Sequence, residues 1–373
     1  MRIAVLMGGS SEERAISLAS GCEVAAALRA RGHEVATIDA AFGAIDRATE
    51  DRIRQERVGR AEAPIRAGPR PGALLEAEVI HGEDDLARAD VAFLALHGGA
   101  GEDGTVQTLL ETAGIAYVGS RPVGCALAMD KDLTKRLLRD AGVDTPKWLV
   151  GRSPLPPDDV VGRLGLPLVV KPASGGSSVR LTLARSIEEV GAGAERAAEG
   201  GDRVLYEAYV EGREFTVGVL GDEALPVVEI EFAHDFFDFE CKYEPGLATE
   251  TAPAQIPRSL AESLQETALL AHGLLRLEHF SRIDFIVDRS GQHWCLEANA
   301  LPGLTANSLV PKSALAAGLD FPELCELICS MGRERAPGGA VQKCVSFRSA
   351  TPRGPSEPPG GRGPADRVRR ESP

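Results

Sequence analysis

Two stretches in the last third of the chain, Arg282-Ile283-Asp284-Phe285-Ile286-Val287-Asp288 and His293-Trp294-Cys295-Leu296-Glu297-Ala298-Asn299, carry residues that together could hold a cation. Both alternate polar and apolar residues with the period of a half-buried strand, and Arg289-Ser290-Gly291-Gln292 between them is turn chemistry. Symmetric closure of that turn pairs Asp288 with His293, sets Asp284 opposite Glu297 and Arg282 opposite Asn299. It leaves Ile283, Phe285, Val287, Trp294, Leu296 and Ala298 on the other face. Carboxylates facing each other about 5 Å apart repel by roughly 3 kcal/mol at an effective dielectric of about 20, and by about 0.8 in bulk water. A favourable cross-strand contact returns only about 0.2–1 kcal/mol. Inside a cleft the pair therefore needs a cation, and the Asp, Glu and Asn oxygens suit Mg²⁺ held together with phosphates. On this segment alone, a solvated acidic face of an exposed hairpin weighs equally.

The elements that must position this hairpin alternate strand and helix signals. Over the first 120 residues the pattern predicts a buried strand at 3–7, a helix at 12–31 and a strand at 34–38. A third strand at 91–97, a helix at 105–113 and a strand at 115–118 follow. That order argues for an open parallel sheet, with ligands gathered at the carboxyl ends of its strands. Residues 43–88 are charged and broken by prolines, and give no clear element. A second unit has one helix over 122–141, strands at 168–171 and 179–183, a helix at 187–199 and strands at 203–210 and 214–220. A third has a strand at 224–232, a long loop, a helix at 260–275 and the hairpin. From Arg333 onward nine basic and four acidic residues lie among Gly and Pro, so that tail is expected to be disordered.

Composition narrows the partners. A formal net charge of −14 argues against nucleic acid or an anionic membrane surface, and no apolar run is long enough to span a bilayer. Seven scattered cysteines without a C-x-x-C pair suit reduced thiols in a cytoplasm; Cys325 and Cys329, one helical turn apart, read as packing residues.

Several loops could handle an anion. Lys171 ends an apolar strand and is followed by Ser174-Gly175-Gly176-Ser177-Ser178, which can approach phosphate with backbone N–H groups and hydroxyls. A plain Gly/Ser linker is the alternative, and the strand signals on both sides favour a hairpin. Lys131 could be a second phosphate ligand or an ordinary surface lysine. No G-x-x-x-x-G-K-[ST] is present, and Gly8-Gly9-Ser10-Ser11-Glu12-Glu13 lacks dinucleotide spacing. Glutamates there either favour the helix dipole or, at Glu13, receive a substrate ammonium. His97 opens a loop with four glycines, where a structural histidine is the commoner case. Residues 236–243, with four aromatics and Lys242, have the make-up of a lid. After Pro302-Gly303, Asn307 or Ser308 can cap a helix, whose N-terminus would also hold a carboxylate.

Taken in order, Glu13-Arg14 with Ser17, His97-Gly98 with Gly101-Glu102-Asp103-Gly104, Met129-Asp130-Lys131, Lys171-Pro172 with Gly176-Ser177-Ser178-Val179, Glu214-Phe215-Thr216-Val217, Lys242-Tyr243, Arg282-Ile283-Asp284, Glu297-Ala298-Asn299 and Pro302-Gly303 through Ser308-Leu309 resemble the D-alanine–D-alanine ligase family of the ATP-grasp superfamily. The resemblance covers residues 1–332 and implies an α/β ATP-grasp fold behind a Rossmann-like N-terminal domain. Its expected divisions are 1–120, 121–213, 214–332 and a basic tail over 333–373.

It also implies roles. Lys131 and Lys171 would hold ATP phosphates under the Ser174–Ser178 loop. Glu207, Ala208 and Val210 would line the adenine pocket, and Glu214 would bind the ribose. Asp284, Glu297 and Asn299 would hold two Mg²⁺, with Mn²⁺ as a substitute. Glu13, with His97 nearby, would take the ammonium of a first D-alanine; Ser308 and the Leu309 amide would take the carboxylate of a second. Arg282 and the Gly303 amide would face the oxyanion, Lys242 the transferred phosphate, and Tyr243 and Ser177 would link the lid to Glu13. The implied reaction is ATP-dependent dipeptide formation through an acyl-phosphate, for peptidoglycan precursors, by a cytoplasmic homodimer. Ala208, Arg180 and Ala300 depart from the usual lysine, glycine and threonine, and Ala252-Pro253-Ala254 lacks a usual cysteine; Tyr243 matches the dipeptide-forming pattern. Another carboxylate–amine pair, or an inactive nucleotide-binding protein, are the rival readings.

Overall fold

The computed structural model describes residues 1–55, 72–175, 180–199, 201–232 and 248–335. The Gly176-Ser177-Ser178-Val179 segment, the lid residues with Lys242 and Tyr243, and nearly all of the basic tail lie outside them. Among the described residues no helix is long and apolar enough to cross a membrane.

The chain opens with β1 (Arg2–Met7), α1 (Arg14–Ala30), β2 (Glu34–Asp39), β3 (Gly43–Ala44), α2 (Arg47–Gln55), α3 (Gly72–Gly82), α4 (Asp84–Ala87), β4 (Val91–Leu94) and α5 (Thr105–Thr112). Their sheet runs β3-β2-β1-β4, with β1 parallel to both β2 and β4. The expected parallel sheet is present, with β3 as an antiparallel edge. Residues 115–118 form no full strand: only Tyr117 bridges to Ala92. Because β1 and β4 are parallel neighbours, the Gly8–Glu13 turn and the loop from His97 leave the sheet side by side at its carboxyl end.

Residues 122–141 are two helices rather than one, α6 (Pro122–Met129) and α7 (Lys131–Asp140). The break is chemical: Asp130 adopts φ −85°, ψ 96°, and its carboxylate accepts from the Asp132 and Leu133 N–H groups. An Asp side chain is among the best helix N-caps, so a new helix starts at Lys131.

A second sheet, ordered β5-β8-β6-β7, follows from β5 (Trp148–Gly151), α8 (Pro157–Leu164), β6 (Leu168–Pro172), β7 (Thr182–Ala184), α9 (Ile187–Ala197) and β8 (Val204–Ala208). It is antiparallel, and β6 and β7 make the hairpin expected around the Gly/Ser loop. Val160, Val190, Ala194 and Ala197 cover Leu168, Val170, Val204 and Tyr206.

The third sheet has β9 (Gly212–Leu220), β10 (Glu223–Ala224), β11 (Val228–Phe232), β12 (Ala248–Thr251), then α10 (Arg258–Leu274), β13 (Phe280–Asp288) and β14 (His293–Asn299). Its order is β12-β11-β9-β13-β14. The continuous strand expected at 224–232 is interrupted, because Pro226 has no N–H for a ladder bond. Leu264, Ala268, Ala271 and Leu275 share a helical face and bury it on Phe215, Val217, Ile283 and Phe285. Cys125, Ala128 and Leu138 of α6 and α7 join the same core. Finally α11 (Leu309–Ala316) and α12 (Phe321–Glu334) return to the first sheet, where Leu324, Cys325, Ile328 and Cys329 are buried with β1 and β4.

The hairpin register corrects the symmetric closure. Arg282 pairs with Asn299 and Asp284 with Glu297, but towards the turn Phe285 pairs with Cys295, Ile286 with Trp294 and Val287 with His293. Leu296 is therefore an extra residue, a β-bulge. Cys295, fully buried, takes the core position expected of Trp294, and Leu296 is only half-buried. Asp288 does not pair with His293; it closes the turn by accepting from the Ser290 N–H (2.9 Å), the Gln292 N–H (3.1 Å) and the Trp294 indole (2.9 Å). Together with the Ser290 hydroxyl these bonds hold its pKa down at about 2.

Candidate active site

The hairpin's polar face is wired through Asp284, which is 7% exposed. Arg282, two residues earlier on the same face, donates to both of its oxygens from Nε and Nη2 at 2.9 Å. Thr216, opposite it on β9, donates at 2.6 Å, and Asn299 Nδ2 donates at 3.0 Å. Glu297 reaches the other way: its Oε2 lies 3.5 Å from the Lys131 ammonium. Thus β14 faces the first residue of α7, the position fixed by the Asp130 cap.

Lys131 also donates to the Gly175 carbonyl at 2.5 Å, tying α7 to the start of the Gly/Ser loop. Gly175 stands at φ +106°, a backbone that favours glycine. Ser174 is half-buried beside it. At the end of β6, Lys171 is 8% exposed and donates to Glu207 Oε2 at 2.7 Å. Burial works against its charge, but Glu207 and then Glu297 outweigh burial and raise its pKa. Burial likewise opposes the Glu207 carboxylate, and Lys135 and Lys171 outweigh it and lower its pKa. Lys135, fully buried, is the second lysine on Glu207. Next on β8, Ala208 donates its N–H to the Lys147 carbonyl at 2.8 Å, and Val210 is half-buried beyond the strand end. Glu214 lies on β9 between Ile230 and Ile286.

A second group of residues gathers at the carboxyl end of the first sheet. Glu13 ends the β1 turn as the α1 N-cap residue, and a Cβ placed on Gly98 would fall 2.6 Å from its Oε2. His97, 7% exposed, sits 3.2 Å from the Ser20 hydroxyl and 3.7 Å from Glu102. A Cβ on Gly303 would lie 3.3 Å from Ser308 Oγ and 3.8 Å from the His97 ring, so the two loops meet there. Ser308 is the N-cap residue of α11, yet its hydroxyl makes no cap bond and accepts from the Thr305 N–H at 3.0 Å. Leu309 begins the helix.

The structure thus gathers Lys131, Lys171, Glu207, Asp284, Glu297, Asn299 and Arg282 into one group, and Glu13, His97, Gly303 and Ser308 into another. Sequence reasoning missed Lys135, and named Thr216 and Glu102 only within motifs, without a role. Lys135 repeats Lys131 one helical turn later, and Thr216 alternates with Glu214 on one strand face, so both signals were present. Arg180 stands at φ +59°, a left-handed backbone that suits glycine better, which gives the family's usual glycine a physical reason.

Two family models match this chain: "D-ala D-ala ligase N-terminus" over residues 2–120 and "D-ala D-ala ligase C-terminus" over 137–330. The chain belongs to the D-alanine–D-alanine ligase family. A relative of that name in Alkalilimnicola ehrlichii is 39% identical, with 90% of this chain and 96% of the relative covered. One in Aquifex aeolicus is 40% identical, over 88% and 99%. Among solved structures, the Bacillus anthracis ligase complexed with ATP matches with a TM-score of 0.70 and 31% identity, over 89% of this chain and 96% of that one. The Coxiella burnetii ligase gives 0.72 and 27%, over 90% and 94%.

Proposed function

We propose that this chain joins two D-alanines to D-alanyl-D-alanine at the expense of ATP, as its family does. The observation that carries the chemistry is the convergence of Lys131, Lys171 and the Asp284–Glu297–Asn299 ladder in one cleft. Lys171 and Lys131 bind the triphosphate as point charges, so the γ-phosphoryl group can accept the carboxylate of the first D-alanine. That attack forms an acyl-phosphate and releases ADP. The amine of the second D-alanine then attacks the acyl carbon, loses a proton and expels phosphate. Glu13 holds the first ammonium, and Ser308 with the α11 N-terminus holds the second carboxylate. Arg282, beside the metal carboxylate, neutralises charge on the tetrahedral oxygen with the Gly303 N–H.

We infer Mg²⁺ as the metal. The donor set fits: two carboxylates and an amide are hard oxygen ligands, and Asp284, Glu297 and Asn299 stand on neighbouring rungs of one hairpin. When bound, the ion supplies charge neutralisation on the phosphoryl oxygens. The assigned Ser177, Ser178, Lys242 and Tyr243 belong to the same reading, as lid groups that exclude water from the acyl-phosphate. Division at 120 and 213 and a cytoplasmic homodimer complete it.

Supplying ATP, Mg²⁺ and D-alanine and following phosphate and dipeptide tests the reading. Turnover should require all three and stop on chelation. Turnover only with another amine or acid would replace the substrate pair, and no ADP with any amino acid would mean an inactive nucleotide-binding protein.

A further inference from the structure

Lys135 is assigned no ligand contact of its own and meets the ligand-assigned residues only through Glu207, yet its surroundings are built around it. Its side chain is fully buried. The ammonium donates to the Thr145 hydroxyl at 2.5 Å, abuts Glu207 Oε1, and lies 5.3 Å from the centre of the Trp148 ring. An ammonium has three N–H donors, and these are three acceptors: a hydroxyl, a carboxylate oxygen and an aromatic face. Trp148 and Glu207 are themselves cross-strand partners on β5 and β8, so the sheet presents both to α7 together. Lys131 and Lys135, one turn apart, reach the cleft and its underside from one helix face.

The other Glu207 oxygen takes Lys171 at 2.7 Å. One buried carboxylate therefore serves two buried lysines. If Lys171 were its only partner the pair would be neutral, and Lys171 would be spent on a structural ion pair. Lys135 supplies the second positive charge from below, out of ligand reach; burial pushes its pKa below the ordinary lysine value, and contact with Glu207 opposes that shift and favours the charge.

We propose that Lys135 is a positioning residue. By holding Glu207 from beneath it fixes the Lys171 ammonium at the end of β6 and leaves the cluster one positive charge in excess, directed at the nucleotide phosphates. This rests on the ATP-ligase reading above and adds a residue to it.

The test is calorimetric binding of MgATP, with steady-state saturation by D-alanine, in the full chain. Lys135→Met should weaken MgATP by about tenfold, the size of one charge-assisted hydrogen bond, with half-saturation by D-alanine within about twofold. Lys135→Arg should stay within about threefold of wild type. The double variant Lys135→Met, Glu207→Gln restores the excess charge but not the Lys171 anchor, and should bind MgATP measurably tighter than Lys135→Met, a gain that a purely structural lysine would not produce. Unchanged MgATP affinity in Lys135→Met, or parallel loss for both substrates without recovery in the double variant, overturns the proposal. If Lys135→Met does not fold, Thr145→Val must weaken MgATP by about threefold for the proposal to stand, on the smaller scale of a neutral hydrogen bond. A wild type that binds MgATP but makes no dipeptide removes the substrate reading and leaves this one intact.

Discussion

Gly98→Ala isolates the group proposed to hold the first amino acid. Gly98 has φ +67° and ψ 169°, a region that side chains avoid, so an alanine there costs about 1–3 kcal/mol. Its Cβ would lie 2.6 Å from Glu13 Oε2, whereas ordinary contact starts at 3.4 Å, so the carboxylate must retreat by roughly 0.8 Å. A carboxylate at the tip of a flexible side chain moves readily, and the structure therefore tolerates the change. The chemistry does not: a displacement near 1 Å in a positioning group costs on the order of 100-fold. We expect kcat/KM for D-alanine to fall about 10- to 100-fold, with MgATP affinity unchanged and Tm lowered by several degrees, at about 2–4 °C per kcal/mol. Initial rates across D-alanine concentrations at saturating ATP, nucleotide binding and a thermal melt separate these effects. D-alanine kinetics within twofold of wild type would refute the placement of Glu13 at the substrate ammonium.

Further outcomes follow from the cleft and the core. Asp284→Asn leaves the Arg282 guanidinium, 16% exposed, without its carboxylate, and should cost about 3–5 kcal/mol along with turnover; an unshifted urea midpoint contradicts the clamp. Glu297, 28% exposed, gives the contrasting case: Glu297→Gln should end turnover with an unaltered melt, and retained activity removes Glu297 from the site. His272 Nδ1 lies 2.7 Å from the Ser281 hydroxyl, and burial pushes its pKa down from 6.5 to about 4. The unfolded chain takes up that proton near pH 6.5 and the folded chain only near 4, so stability is intact above the first value. It declines by about 3 kcal/mol as pH falls to the second. His272→Asn should flatten the pH dependence of unfolding in that window, and an unchanged slope rejects the assignment.

Alternation made the hairpin legible, since both strands show it without interruption, and the facing of Asp284 with Glu297 follows in either register. The turn did not reveal itself, because Asp288 folds back on Ser290 and Gln292 instead of pairing, and a bulge then restores the phase. The Asp130 break was written in capping chemistry but masked by helix signals on both sides. Strand interruption at Pro226 was equally readable from its missing donor. What stayed hidden was long-range: nothing local to Lys135 announces that Thr145, Trp148 and Glu207 converge on it. Motif order carried the resemblance, and with it the roles of residues whose neighbours come from three different sheets.

The bulge at Leu296 separates the hairpin into two halves with independent phase. In an unbroken ladder, adding or removing one turn residue would invert every side chain down to Arg282 and Asn299. Here the slack residue lies between the turn and the Asp284–Glu297 pair, so a length change at 289–292 can be absorbed before it reaches them. A turn of altered length can then leave the Asp284–Glu297 and Arg282–Asn299 rungs facing as they do.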